Sequence, residues 1–194
     1  MNSVFSFAPV AYLLAALLSQ EPVQARQATE GKYPLEAILV LTPDQCETQS
    51  KKGNWVIGKE KYQVGEFLCP AAEAAVQQVF EKYTRVETLS DDERAPGKVI
   101  LTPRFVDLEA TRTATAFGRR KMVLLVEWTA TDHSGKVLWV QTVEGNSQEK
   151  TGNLFTAGKH RRKMIDSVTK DLTDKFVQAM RQSPEFQKLA QKAR

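Results

Sequence analysis

The chain has only two histidines and two cysteines among its 194 residues, so it has few of the side chains that serve as nucleophiles, bases or metal ligands. Cys46, Cys69, His133 and His160 do not stand at the short spacings of a zinc site, and C-x-x-C is absent. A catalytic nucleophile also needs a base and a group that orients it. We therefore expect no metal, no cofactor and no enzymatic activity. A site built from paired carboxylates stays a distant alternative, because a sequence does not show spatial pairing.

A phosphate-binding loop is also missing. Residues 152–159 resemble one, but five residues separate Gly152 from Gly158 where the motif needs four, and His160 replaces the hydroxyl residue that binds Mg²⁺. We expect no nucleotide and no nucleic-acid partner. The net charge of +4 and the pI of about 9.0 permit attraction to anionic partners but do not define a fold.

The first 25 residues contain no lysine or arginine. The apolar run at 11–18 is too short to span a bilayer, Pro9 precedes it, and Val23-Gln24-Ala25 fits a secretory cleavage site. We predict a removed signal peptide at 1–25, a polar tether at 26–34 and one domain at 35–194. A signal peptide usually begins with positive charge, so an apolar N-terminal helix packed on the core is the alternative.

Export would place the two cysteines in an oxidising compartment, where we expect a Cys46–Cys69 disulfide. Two buried thiols are the alternative if the chain is not exported. No cysteine stands at the cleavage site, so the sequence shows no lipid anchor. We expect a protein of the periplasm or of the periplasmic face of the outer membrane.

The first half of the domain predicts a strand at 35–41 that Thr42-Pro43-Asp44 ends, and a small hairpin from pieces at 55–57 and 62–64 inside the disulfide loop. Pro70 opens a predicted helix. Its apolar stripe comprises Ala72, Val76, Val79, Phe80 and Tyr83. A strand at 85–89 and a charged loop at 90–97 follow.

The second half predicts a meander. Residues 99–114 are extended, 121–130 alternate as a well-covered strand, and Asp132-His133-Ser134-Gly135 forms the turn into a return strand at 136–144. A loop at 145–158 leads to a final helix, which Ser183-Pro184 ends before a short basic tail. We predict an α/β (α+β) fold: one domain with a mixed, mostly antiparallel sheet and two helices packed on one face.

The meander predicts one candidate binding surface. It brings the turn near Phe117-Gly118 and the loop after Glu144 to the same end of the sheet. Cations collect there beside a helix N-terminus that favours anions, with two aromatic residues nearby. The candidate residues are Arg119, Arg120, Lys121, Lys159, Arg161, Arg162 and Lys163, with Phe117 and Phe155. An anionic lipid, a lipopolysaccharide headgroup or an acidic protein face could bind there; simple solvation of these side chains is the alternative.

The order of elements resembles small bacterial envelope proteins, with the YajG-like outer-membrane lipoproteins nearest and the TolB N-terminal domain and LptE as looser relatives. The residues that carry this resemblance are Val99-Ile100-Leu101-Thr102-Pro103-Arg104 and the strand–turn–strand around Asp132-His133-Ser134-Gly135. The resemblance implies a non-catalytic factor that binds an envelope partner or assembles with others. Binding of an anionic lipid or glycan is the alternative function. The lipidated cysteine of the family is missing.

Overall fold

The computed structural model describes residues 31–54, 58–112, 119–150 and 157–193. Within these ranges the elements, in chain order, are β1 (Tyr33–Val40), α1 (Pro43–Cys46), β2 (Gln49–Asn54), β3 (Gly58–Gln63), α2 (Gly65–Val79), β4 (Phe80–Val86), β5 (Lys98–Arg112), β6 (Arg119–Thr131), β7 (Val137–Lys150), α3 (Ala157–Gln182) and α4 (Pro184–Lys192). The predicted α+β class and single domain are confirmed.

One mixed sheet of five described strands organises the domain, in the order β4-β1-β5-β6-β7. β1 pairs in parallel with β4 and β5, whereas β5, β6 and β7 form an antiparallel meander whose strands are longer. The predicted mixed, mostly antiparallel sheet is therefore confirmed. β2 and β3 form a separate two-stranded hairpin.

One face of the sheet holds the core. α2 and α3 pack on it, and the ring of Phe176 stacks on that of Trp128 with 3.6 Å between the centroids. α3 approaches β7 closely at Gly145, where an added Cβ would lie 2.8 Å from both the Leu172 Cβ and the Val168 carbonyl oxygen. Glycine at this position thus lets the helix lie directly on the strand.

The C-terminal tail is not only a basic extension, as the sequence suggested, but the helix α4. Ser183 caps it, accepting a hydrogen bond from the amide of Phe186. The Phe186 side chain is fully buried and contacts the rings of Tyr33, Phe80 and Trp139. Burial of this one aromatic residue explains why the chain continues as a helix after the Ser183-Pro184 break.

The start of α2 was predicted wrongly. The helix begins at Gly65, and Pro70 lies inside it. Proline there leaves one helical hydrogen bond unmade, but the added first turn buries Phe67 and Leu68 almost completely. Gly65 fits because a side chain at that position would overlap the backbone of Cys46.

The end of α2 was also misplaced. Phe80 and Tyr83, assigned to the helical stripe, belong to β4, and the strand predicted at 85–89 begins at Phe80 and ends at Val86. β4 pairs in parallel with β1, from Tyr33 opposite Phe80 to Val40 opposite Val86. This segment is a strand because its backbone pairs with the distant strand β1. Helical spacing over four residues cannot reveal such a long-range contact.

The segment around the disulfide loop contains one helix that the sequence analysis missed. Thr42 does not simply end β1: it caps α1, accepting a hydrogen bond from the Gln45 amide while the Gln45 side chain accepts one from the Thr42 amide. A hairpin inside the loop is confirmed, as β2 and β3, but its second strand is Gly58–Gln63 and not the predicted piece at 62–64, because Val64 already stands at the start of α2. Its first strand spans Gln49–Asn54, while the predicted piece at 55–57 lies outside the described residues.

The meander is confirmed, and so is its turn. The Asp132 carboxylate accepts hydrogen bonds from the amides of Ser134 and Lys136, and Gly135 adopts a φ of 84°. The return strand is longer than predicted: β7 continues to Lys150, so residues 145–150 are strand rather than loop, and Ala157 and Gly158 already belong to α3. Tyr33 and Pro34 belong to β1 instead of the tether. The predicted signal peptide at 1–25 lies outside the described residues.

Candidate functional site

The register of the meander places several basic positions at one end of the sheet. Arg119 at the start of β6 pairs with Lys150 at the end of β7, and Arg112 at the end of β5 pairs with Arg120. Two connecting segments lie outside the described residues: 113–118, which joins β5 to β6, and 151–156, which joins β7 to α3. Four basic backbone positions therefore lie side by side on three neighbouring strands.

α3 begins at the same end. β7 runs towards this end, and α3 runs back along it, so that Val168 and Leu172 reach Gly145. Met164, one turn before Val168, is already buried against the core. The first turns of α3, which contain Lys159 to Lys163, therefore extend beyond Gly145 towards the ends of β5, β6 and β7.

Arg161 has a contact of its own at this end. Its guanidinium donates a hydrogen bond to the carbonyl of Lys61 at 2.8 Å and lies over the ring of Tyr62, 5.2 Å from the centroid. The ring of Tyr62 is buried, so the cation–π contact links the start of α3 to β3. Among the predicted candidates, Arg161 is thus engaged in holding the hairpin against α3.

The remaining candidates differ in how they are placed. Lys121, Arg162 and Lys163 are exposed. Arg119, Arg120 and Lys159 are placed through their backbone alone, while Phe117 and Phe155 lie outside the described residues. The surface defined by Arg119 to Lys121 and Lys159 to Lys163 is called the basic end below. Long cationic side chains around a helix N-terminus are suited to phosphate or carboxylate groups. Anion binding at the basic end stays a prediction.

The predicted disulfide is present. Cys46 in α1 and Cys69 in α2 are bonded, with 5.7 Å between their Cα atoms. Cys69 is buried, whereas Cys46 is partly exposed and has the Arg85 guanidinium 3.9 Å from its sulfur. The bond fixes the short helix α1 and the hairpin that follows it to the first turns of α2.

Four carboxylates in the described part of the chain have a lowered pKa. The largest cause is in each case a hydrogen bond: from the Ser90 amide to Glu93, the Lys52 ammonium to Asp107, the Ser134 hydroxyl to Asp132 and the Ser183 hydroxyl to Glu185. Three of these bonds belong to turns or a helix cap, and the fourth ties β2 to β5. The shifts follow from local structure, and their direction is opposite to the raised pKa of a general acid.

The residues that the structure describes contain neither a metal-ligand cluster nor a membrane-spanning helix. Within 31–54, 58–112, 119–150 and 157–193, no three histidine, cysteine, aspartate or glutamate side chains are grouped so that they could hold a metal ion. His133 lies in the exposed turn before β7. None of the helices described is both long and apolar enough to cross a membrane.

A groove that the sequence did not predict runs between β7 and α3. It has a volume of about 430 Å³ and is lined by residues 141–144 of β7 and by Lys175, Gln178, Ala179 and Gln182 of α3. Two of these lining residues are joined directly, since the Lys175 ammonium donates a hydrogen bond to the Glu144 carbonyl. Periodicity identifies both elements, but only their packing shows that the edge of β7 is partly covered by α3.

Comparison with known proteins gives no family. No family model matches the chain, and no curated protein matches it. Among solved structures, it is similar to a minor lipoprotein from Acinetobacter baumannii, with 12% identity, 76% of this chain and 92% of that chain covered, and a TM-score of 0.37. A DUF330 protein from Xanthomonas campestris has 9% identity, with 84% and 85% of the two chains covered and a TM-score of 0.38.

Proposed function

We propose that this chain is an exported, non-enzymatic domain of the bacterial cell envelope that binds a protein partner or assembles with others. The observation that carries the proposal is the Cys46–Cys69 disulfide, since structural disulfides persist in oxidising compartments. The apolar run at 11–18 and the cleavage-site pattern Val23-Gln24-Ala25 support the same location, in the periplasm or on the periplasmic face of the outer membrane.

A binding role fits the local part that two carboxylates play. The pKa of Asp107 and that of Asp132 are lowered, because each carboxylate accepts a hydrogen bond from an ammonium or hydroxyl group. These contacts tie β5 to β2 and close the turn before β7. We propose that both carboxylates stabilise the fold and that the surface of the domain functions by binding.

Crosslinking in intact cells tests this proposal. A photo-crosslinking residue is placed at an exposed position, and the captured species is identified by mass spectrometry. We expect one defined envelope protein, or a second copy of this chain, to be captured reproducibly, and co-purification to persist at high salt. Turnover of a substrate that is lost on substitution of a single carboxylate would contradict the non-enzymatic role.

A second candidate function is binding of an anionic lipid or lipopolysaccharide through the basic end. It is favoured by the strand register, which sets Arg119 beside Lys150 and Arg112 beside Arg120 near the start of α3. The same register sets one acidic position, Glu149, opposite Arg120, so basic positions outnumber acidic ones among these pairs, which suits an anionic headgroup.

Vesicle binding tests this second function. We expect the wild type to bind vesicles containing an anionic lipid, or lipopolysaccharide, with an affinity that falls as salt rises. The triple variant Arg119→Ala/Arg120→Ala/Arg162→Ala should lose most of that affinity. A control with the same loss of charge, Lys82→Ala/Arg94→Ala/Lys188→Ala, removes three exposed cations on β4, the 90–97 loop and α4, and should retain it. Equal binding by the two triple variants would refute the assignment.

A further inference from the structure

β7 lies at one end of the strand order, so one of its backbone edges faces no other described strand. α3 covers part of that edge: the Lys175 ammonium donates to the Glu144 carbonyl at 3.0 Å, and the Asn146 amide donates to the Asp171 carboxylate at 2.7 Å. Backbone groups alternate in direction along a strand, so those of Val140 and Thr142 point to the same side as those of Glu144. At this earlier part of the edge, no described residue of α3 makes a hydrogen bond to these backbone groups, although Gln178, Ala179 and Gln182 still line the groove beside residues 141–143.

The uncovered part of β7 has an unusual composition for an edge. Residues 137–143 contain no charged residue, no glycine and no proline, and Val137 and Val140 are 55% and 50% exposed. Proteins commonly protect exposed edges with charged residues, and an apolar, uncharged edge pairs readily with another strand. β4, at the opposite end of the sheet, carries the exposed charges of Glu81, Lys82 and Arg85. The β4 edge thus carries charged residues and this part of the β7 edge does not, and such charges hinder the addition of another strand.

We propose that residues 137–143 of β7 pair with the same residues of a second copy of this chain. A strand that pairs with its own copy about a two-fold axis is antiparallel by symmetry. Lys136 and Glu144 stand at the two ends of the uncharged stretch, and both are exposed. An antiparallel alignment centred near Val140 brings Lys136 of each copy towards Glu144 of the other. The stretch is therefore complementary to itself in charge as well as in backbone pairing.

Pairing in this way makes one sheet continuous through two copies. Among the described residues, one hydrogen bond besides those of the ladder to β6 occupies a backbone group of this stretch: the Gln141 side chain donates to the Thr142 carbonyl at 3.1 Å, in an exposed position where it is readily replaced. A pairing strand would also enter the groove whose other wall is formed by Gln178, Ala179 and Gln182 of α3. The inference rests on β7 alone and does not depend on the compartment in which the protein functions.

Sedimentation velocity over a concentration series tests the proposal. We expect the wild type to form a dimer, and Val140→Lys to raise the dissociation constant about tenfold or more, because it sets two like charges near the two-fold axis. Val106→Lys is the matched control: Val106 is 43% exposed on β5, away from the edge of β7, and its substitution should leave the dimer intact. A wild type that stays monomeric throughout, or a dimer unchanged by Val140→Lys, would overturn the proposal.

A charge exchange tests the alignment itself. Lys136→Glu and Glu144→Lys should each weaken the dimer, and the double variant should restore it. The Glu144 carboxylate also accepts a hydrogen bond from the Asn146 side chain, but loss of that contact would not be repaired by Lys136→Glu. Failure of the double variant to restore the dimer contradicts the antiparallel alignment. A monomeric wild type that binds a different protein through Val140 would show that the edge serves a heterologous partner instead.

Discussion

Replacing both Cys46 and Cys69 by alanine removes the covalent link between α1 and α2. The cysteines are 23 residues apart in sequence, and closing a loop of that length lowers the chain entropy of the unfolded state. The chain-entropy relation gives about 3 kcal/mol of stabilisation for such a loop. In a domain of this size, that corresponds to a fall in the thermal midpoint of about 6–12 °C.

The loss should be largest in one region. The first turn of α2 precedes Pro70, which cannot donate a backbone hydrogen bond, and is held in part by the bond at Cys69. Hydrogen exchange should therefore increase most at α1 and at residues 65–69 of α2. The meander of β5, β6 and β7 lies outside the disulfide loop and should keep its protection until global unfolding.

Denaturant unfolding of three samples measures this effect: the oxidised wild type, the wild type with reductant, and the double alanine variant. Reduction keeps both sulfur atoms but removes the bond, so it separates the covalent effect from the loss of buried volume at Cys69. We expect the reduced wild type to lose most of the stability that the variant loses. If reductant left the midpoint unchanged, the reasoning about the disulfide would be refuted.

Three further substitutions test the packing of the core and the turn before β7. Gly145→Ala should destabilise by about 1–3 kcal/mol in denaturant unfolding because its Cβ would meet α3, whereas Gly31→Ala, with open space around it, should have little effect. Phe176→Ala removes a fully buried ring and should cost about 3–5 kcal/mol in the same assay. The pKa of Asp132 is lowered in the folded state. Its contribution to stability is therefore complete above the unfolded pKa and is lost as the pH falls through the folded pKa. The stability difference between wild type and Asp132→Ala should vanish in acid, and a pH-independent difference would contradict this reasoning.

The parts of the fold that could be predicted are those specified locally. The alternation through Met122, Leu124 and Val126, followed by a turn with Asp132 and Gly135, contains in one short segment everything needed to form the hairpin of β6 and β7. Helix α3 is similar, because its apolar stripe repeats over several turns. These elements depend little on distant contacts, and the prediction that they form is confirmed, although β7 continues beyond its predicted end to Lys150.

The misplaced elements depend on partners far away in sequence. Phe80 continues the helical spacing of α2, yet it pairs with Tyr33 in a parallel ladder. Gly145 is a plausible loop residue until α3 is seen to lie against it. Phe186 lies in a short polar tail whose helical form depends on contacts with Tyr33, Phe80 and Trp139. The local sequence pattern cannot predict these three features, since each depends on tertiary packing.

The same distinction between local and long-range contacts applies to the candidate sites. A meander topology was sufficient to place the ends of β5, β6 and β7 together, which locates the backbone of the basic end. The contact of Arg161 with Tyr62 could not be foreseen, because it depends on where the hairpin packs. The open edge at Val140 was also missed, since exposure of an edge is a property of the whole sheet order.

The intact mass of the protein isolated from its own cells tests the central proposal, export to the envelope, most directly. We predict a chain that begins after Ala25 and has lost two hydrogen atoms to the bond between Cys46 and Cys69, with no thiol that reacts before reduction. A chain recovered from the cytosol that still begins at Met1, with both thiols reactive, would contradict export and the envelope function that rests on it.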